Sequence, residues 1–219
     1  MQLAASACVM FMSLSLPAAN PPAIDGFLQD PFWSTGARVW HTFNPELAGH
    51  GGRFMVGFDN EFLYFAADIQ DPDVTARRRH RQDDVYADDA VLFMIDLGDG
   101  TSTRRTPETF EYAISAAGGI NWNRGRDTTE AGETTEPALT REWESQVRWA
   151  VMLKPRTTLN LGVDQDPGYQ VEARIPWSEL GQTSPIRRDR SIGLNLLAIC
   201  RSTDKPAEYA MLSLSLIHI

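Results

Sequence analysis

Apolar residues recur at every second position along most of this chain. Phe54, Val56 and Phe58 alternate with Met55, Gly57 and Asp59. Leu63, Phe65, Ala67 and Ile69 form the next row, followed by Val91, Phe93, Ile95 and Leu97, and then Phe110, Tyr112 and Ile114. Further rows are Val147, Trp149, Val151 and Leu153; Tyr169, Val171, Ala173 and Ile175; and Leu194, Leu196, Ala198 and Cys200. Alternation of this kind sends one set of side chains to each face of an extended strand, and no segment carries a sustained apolar stripe at helical spacing. The pattern predicts an all-β protein, a two-sheet antiparallel β-sandwich of jelly-roll type with one face of each strand buried.

Turn-forming clusters separate the rows: Asp59-Asn60, Asp71-Pro72, Gly98-Asp99-Gly100, Gly118-Gly119 and Asp166-Pro167-Gly168. Two longer polar stretches, 71–89 and 124–144, interrupt them without the look of a domain linker, so one domain is expected over residues 20–213. The row that starts at Tyr169 ends abruptly at Pro176, which has no amide hydrogen to continue a ladder but suits a first helical turn. One short helical turn is therefore expected after Ile175, stopped by Gly181, with Trp177 and Leu180 folding back over the end of the sandwich. Gln170, Glu172 and Arg174 are expected to face water.

The ends read differently from the middle. Leu3 to Leu16 is almost wholly apolar or small, and Pro17-Ala18-Ala19 offers small residues for cleavage before Asn20. Residues 1–19 thus read as a signal peptide, too short for an ordinary membrane span. No Lys or Arg precedes the apolar run, so a natural start upstream of Met1 is expected. Residues 214–219 resemble the translation of a sequencing-adapter end, so the natural sequence is expected to be cut near Ser213, with a covalently attached enzyme or barrel domain lost beyond it; a genuine final strand is the alternative. Export to the periplasm, the cell surface or the medium follows from the leader.

Net charge is −9, which argues against a nucleic-acid surface because phosphate neutralisation needs clustered cations. The one basic run, Arg77-Arg78-Arg79-His80-Arg81, is followed at once by Asp83 and Asp84 and reads as a solvated loop. Two cysteines, Cys8 in the leader and Cys200 in a strand row, give no internal disulfide, and Cys200 reads as a buried thiol.

Several short motifs stand in a telling order. They are Ile24-Asp25-Gly26 with Asp30-Pro31-Phe32-Trp33, Val56-Gly-Phe-Asp59 with Leu63-Tyr-Phe-Ala66, Asp88-Asp89-Ala-Val-Leu-Phe-Met-Ile-Asp96, Tyr169 to Gly181, and Gly193-Leu-Asn195. Together they resemble carbohydrate-binding module family 9 and its wider relatives. The resemblance implies a two-sheet antiparallel sandwich and non-catalytic binding of polysaccharide or oligosaccharide, as an accessory domain of secreted glycoside hydrolases. It also implies sugar stacked on aromatic rings, whose faces suit the apolar C–H groups of a pyranose, with carboxylates and amides fixing the hydroxyls.

Carried onto this chain, the resemblance sets Tyr86 as the first stacking aromatic, though its place in the polar loop from Asp83 to Asp89 equally suits a loop anchor. A sugar-bonding glutamate of the family falls at Leu92, a basic contact falls near Glu111, and a second aromatic falls just beyond Ser213. From the residues themselves, Trp122 between Asn121 and Asn123 is a second candidate platform with flanking hydroxyl partners, and its alternation with Ile120 equally permits a core role. Structural calcium, also implied by the family, has candidate ligands in Asp71, Asp73, Asp88 and Asp89. No His-Glu-x-x-His, Gly-x-Ser-x-Gly or Cys-x-x-Cys pattern supports catalysis. Two alternatives stand beside sugar binding. One is a structural domain that has lost it, favoured by Leu92 and Glu111. The other is a haem-b sandwich for electron transfer, with Met55, Met94, His41, His50 and His80 as formal axial ligands.

Overall fold

A computed structural model describes residues 12–13, 20–35, 37–43, 49–98, 105–125, 139–140, 143–183, 191–202 and 205–218. The strands are β1 (Met12–Ser13), β2 (Arg38–Phe43), β3 (Gly51–Phe58), β4 (Phe62–Gln70), β5 (Ala90–Asp96) and β6 (Thr109–Ser115). They continue with β7 (Ile120–Gly125), β8 (Leu139–Thr140), β9 (Arg148–Leu153), β10 (Tyr169–Pro176), β11 (Ser191–Ser202) and β12 (Lys205–His218). One sheet has the order β1-β12-β11-β5-β6-β7-β8, the other β2-β3-β4-β10-β9. Every pairing is antiparallel except that of β1 with β12. The chain is thus the all-β, two-sheet sandwich that the alternation predicts.

The rows named above meet between the sheets. Val91, Phe93 and Ile95 of β5, Tyr112 and Ile114 of β6 and Leu194 and Leu196 of β11 pack against Phe54, Val56, Phe65, Val171 and Ile175 of the opposite layer. Phe65 stacks on Phe93 with centroids 4.7 Å apart, and Phe54 meets the same ring edge-on at 6.1 Å. Each such aromatic contributes about 1.5–3 kcal/mol by leaving water.

Pro176 ends β10 as its missing amide hydrogen requires, and the expected turn follows. Glu179 N donates to Pro176 O at 3.0 Å and Gly181 N to Ser178 O at 3.1 Å. Gly181, at φ +69°, takes the left-handed position that lets Gln182 N reach Trp177 O at 2.9 Å. Trp177 is buried against Phe58, and its Nε1 donates to Asp59 O at 3.0 Å. Glu179 secures the same corner by accepting from Tyr112 Oη and Ser145 Oγ, each at 2.6 Å.

The outer face of the five-stranded sheet departs from expectation. A short helix, α1 (Pro31–Thr35), lays Phe32 and Trp33 on Met55, Tyr64 and Ala66. Its signal was legible: Asp30 before Pro31 is a helix start, and Trp33 N donates to Asp30 O at 3.0 Å. Under this cover Glu172, expected in water, is fully buried. The N-terminal segment hides the face that alternation assigned to solvent.

Apart from Met12–Ser13, the leader 1–19 lies outside the described residues, as does most of the polar stretch 124–144. Residues 214–218 continue β12 alongside β11. Among the described residues, no helix is long and apolar enough to cross a membrane.

Candidate functional site

Register decides which polar side chains share a face. On the seven-stranded sheet, Asn195 pairs with Met94, Met94 with Glu111, and Glu111 with Asn123. Residues directly opposite in antiparallel strands point the same way, so these four form one row across β11, β5, β6 and β7 on the side away from the core. The next row runs Leu197, Leu92, Ala113, Asn121. A 3-10 turn at Val85–Ala87 rests on this face, packing Val85 and the half-buried Tyr86 against Ala90, Leu92, Ala113 and Ile199.

Tyr86 joins the rows. Its hydroxyl donates to Glu111 Oε1 and accepts from Asn123 Nδ2 at 2.9 Å. Asn123 Nδ2 also donates to Asn121 Oδ1 at 2.8 Å, and Asn121 Nδ2 to Asp83 O at 3.0 Å. Arg105 Nη2 lies 2.9 Å from Glu111 Oε2. Charge-assisted bonds of this kind are shorter and stronger than neutral ones, so the phenol, the carboxylate and both amides are held in fixed positions. Four of the five sequence-predicted sugar residues, Tyr86, Glu111, Asn121 and Asn123, are thus brought together.

Trp122 is the exception. It pairs with Tyr112 on the core-facing row, is 1% exposed, and donates from Nε1 to Trp143 O at 2.9 Å. Alternation that sends Asn121 and Asn123 outward must send the residue between them inward, so Trp122 is a core residue and not a platform. Arg81, from the basic run, sits 5.3 Å over its ring and 5.1 Å over Trp149. Leu92, where the family's glutamate was expected, contributes apolar surface to the covered patch.

Three members of the face went unread in the sequence: Met94, Arg105 and Asn195. Asn195 Oδ1 is buried with no hydrogen-bond partner among the described residues, an acceptor in the same row as Glu111. The motif Gly193-Leu-Asn195 held the signal, since alternation from core-facing Leu194 turns Asn195 outward.

Among the described residues, the four candidate calcium ligands form no group of three donors within 4.8 Å of one another. Asp88 Oδ2 accepts from Arg77 N, Arg78 N and Ser115 Oγ at 2.8, 2.7 and 2.7 Å. Asp89 accepts from Thr75 N and Arg201 N. Both aspartates clamp loops to strands. Burial, and then the neighbouring Asp71 charge, push the Asp89 carboxyl up to about 9 against the pull of those amides. Calcium needs six to eight oxygens turned on one point. Among the described residues, the one convergent group of three or more His, Cys, Asp or Glu donors is His50, Asp71 and Cys200. Asp73 lies outside that group and donates its backbone N–H to Asp71 Oδ1 at 3.1 Å. This donor set does not fit calcium.

The haem candidates are scattered. Met55 lies under α1 and Met94 on the outer face of the other sheet, and His80 is exposed in a loop. The His41 side chain lies outside the described residues.

The fold is a two-sheet sandwich with an aromatic and amide-carboxylate network on one outer sheet face. The family model for the carbohydrate family 9 binding domain-like group matches residues 24–215, and the chain belongs to that family. Among solved structures it is similar to a family 9 carbohydrate-binding module from Caldicellulosiruptor kristjanssonii in complex with cellotriose. That likeness has a TM-score of 0.66 at 15% identity and covers 95% of this chain and 93% of that one. It is also similar to a family 9 module from the same organism in complex with glucose, with a TM-score of 0.60 at 16% identity over 92% of this chain and 84% of that one. At these identities the likeness is one of fold. No curated protein matches the chain.

Proposed function

We propose that this chain is a non-catalytic carbohydrate-binding module that holds a glucan on the outer face of its seven-stranded sheet. The observation that carries the reading is the Tyr86–Glu111–Asn123 network, three hydroxyl-bonding groups fixed on one face of a family 9 fold. Tyr86 lends its half-buried ring as an apolar edge. Glu111 and Asn123, 4% and 3% exposed, meet sugar hydroxyls at the edge of the Tyr86 ring. The family neighbours in complex with cellotriose and glucose support a cello-oligosaccharide as the ligand. The module is exported and serves within a larger polysaccharide-degrading or surface protein, a reading supported by the apolar run of residues 1–19.

Calorimetric titration with cellotriose and with glucose tests this. Binding is expected in the wild type and about tenfold weaker in Glu111→Ala, the equivalent of one lost charge-assisted bond. No reducing sugar should be released from cellulose. A structural domain without sugar binding is the second reading, favoured by the bonding of both Glu111 oxygens within the chain. Silence across a panel of gluco-, xylo- and manno-oligosaccharides would establish that reading instead.

A further inference from the structure

His50 directly precedes β3 and Asp71 directly follows β4. Gly51 and Gln70 are paired across the two strands, so the two residues that flank this pair stand side by side at the open end of the hairpin. His50 Nε2 lies 3.4 Å from Asp71 Oδ1. From the opposite sheet, core-facing Cys200 of β11 brings its sulfur to the same spot, and the donor atoms of the three residues all lie within 4.8 Å of one another. Asp71 is 1% exposed, and among the described residues its Oδ2 has no hydrogen-bond partner. The fully buried Tyr169 hydroxyl is likewise unpartnered, and it feels the charges of Asp89, Cys200 and Asp71.

We propose that His50, Asp71 and Cys200 form a transition-metal site that staples the two sheets together, with zinc as the ion best suited to it. Imidazole nitrogen, carboxylate oxygen and thiolate sulfur form a borderline-to-soft donor set, which favours zinc over calcium or magnesium. Zinc–nitrogen and zinc–oxygen bonds of about 2.0–2.1 Å on a tetrahedron put their ligand atoms about 3.4 Å apart, the separation found between His50 and Asp71. Three protein ligands leave zinc a fourth position for water, and among the described residues the Tyr169 hydroxyl, a donor or acceptor, and Asp71 Oδ2, an acceptor, have no other partner. The His50 side chain, 13% exposed, gives the ion a way in. The site stands apart from the sugar face and does not depend on that reading.

Cobalt titration of the chelator-treated full chain is the test, because a cobalt–thiolate bond announces itself in a charge-transfer band and tetrahedral geometry in strong visible absorption. One equivalent of cobalt should develop both signals, zinc should displace it, and zinc should raise the melting temperature by several degrees. Cys200→Ser should abolish the charge-transfer band. His50→Gln, at the partly exposed ligand, should weaken binding at least tenfold, while His80→Gln in the exposed loop should leave it unchanged. A wild-type protein without a thiolate band, or one whose melting temperature rises with calcium and not with zinc, would overturn the proposal. So would zinc affinity undiminished in both His50→Gln and Cys200→Ser.

Discussion

Trp33 Nε1 donates a 2.6 Å hydrogen bond to Glu172 Oε1, tying α1 to the middle of β10 across 139 residues of chain. The other carboxylate oxygen accepts from Asp25 N at 3.0 Å and Gly26 N at 2.7 Å. One buried side chain thus gathers the N-terminal segment onto the five-stranded sheet. Removing it strands three donors, those of Gly26 and Trp33 in buried bonds, at about 1–3 kcal/mol for each buried group left unpaired. Glu172→Ala should therefore lower stability by about 3 kcal/mol or more, read as a fall in the urea midpoint. Trp33→Phe, which leaves the two backbone donors satisfied, should cost less.

The same carboxylate makes stability depend on pH. Burial raises the Glu172 carboxyl above its ordinary 4.5, with the hydrogen bonds from Gly26, Trp33 and Asp25 pulling the other way. The folded protein then holds this proton more tightly than the unfolded chain does. Its contribution is complete below about 4.5 and is lost as pH rises through the folded value. Glu172→Gln cannot ionise. The difference in unfolding free energy, wild type minus Glu172→Gln, should fall as pH rises from 4.5 toward neutrality, by urea titration at three or four pH values. A flat difference would mean that the folded carboxyl titrates normally.

What could be read in advance, and what could not, divides along physical lines. Val91, Phe93 and Ile95 are apolar at every second place because one side of β5 meets the other sheet, and a local pattern suffices to see that. Glu172 sits at an outward position in an equally clear row, yet it is buried, because residues far away in sequence fold over it. Alternation separates two faces and is silent on what later covers either of them. Trp122 shows the converse. Its neighbours Asn121 and Asn123 suggested one polar cluster, but side chains adjacent in a strand point to opposite faces. The convergence of Tyr86 with Glu111 and Asn123 depends on a 3-10 turn lying across β6 and β7, a long-range contact that no spacing encodes. His50 and Asp71 meet through strand register, and Cys200 joins them only when the sheets pack.

Trp122 separates core from binding surface experimentally. Its ring fills space beneath β7 and its Nε1 satisfies Trp143 O. Trp122→Phe should cost about 1–3 kcal/mol through the lost bond and the smaller ring. Sugar affinity of the folded protein should stay within about twofold of wild type. A large loss of affinity at unchanged stability would return Trp122 to the ligand.

Trp177 closes the core at the turn that follows β10. It packs against Phe58, with ring centroids 6.3 Å apart, and reaches back to Asp59 O. Trp177→Ala should be among the most damaging single changes, at about 3–5 kcal/mol for a large buried aromatic. Trp177→Phe keeps most of the volume and loses the hydrogen bond, for about 1–2 kcal/mol. Thermal unfolding of the two variants should preserve that order.

Tyr86→Phe decides how the network on the outer face works. The Tyr86 hydroxyl bonds both Glu111 Oε1 and Asn123 Nδ2 while its own ring lies half-exposed. Deleting that oxygen leaves the ring in place, and the Tyr86 carbonyl still accepts from Arg201 Nη2. Glu111 keeps Arg105, and Asn123 keeps Asn121. Little stability is at stake, about 1 kcal/mol for one hydrogen bond in a partly exposed position. Affinity is a different matter. If sugar hydroxyls are held by a carboxylate and an amide fixed in advance, removing the hydroxyl that bridges them loosens both and raises the ordering cost of binding. Cellotriose affinity should then drop about three- to tenfold with almost no change in melting temperature. If the face is purely structural, the melting temperature alone moves and calorimetry with cellotriose stays silent in both proteins.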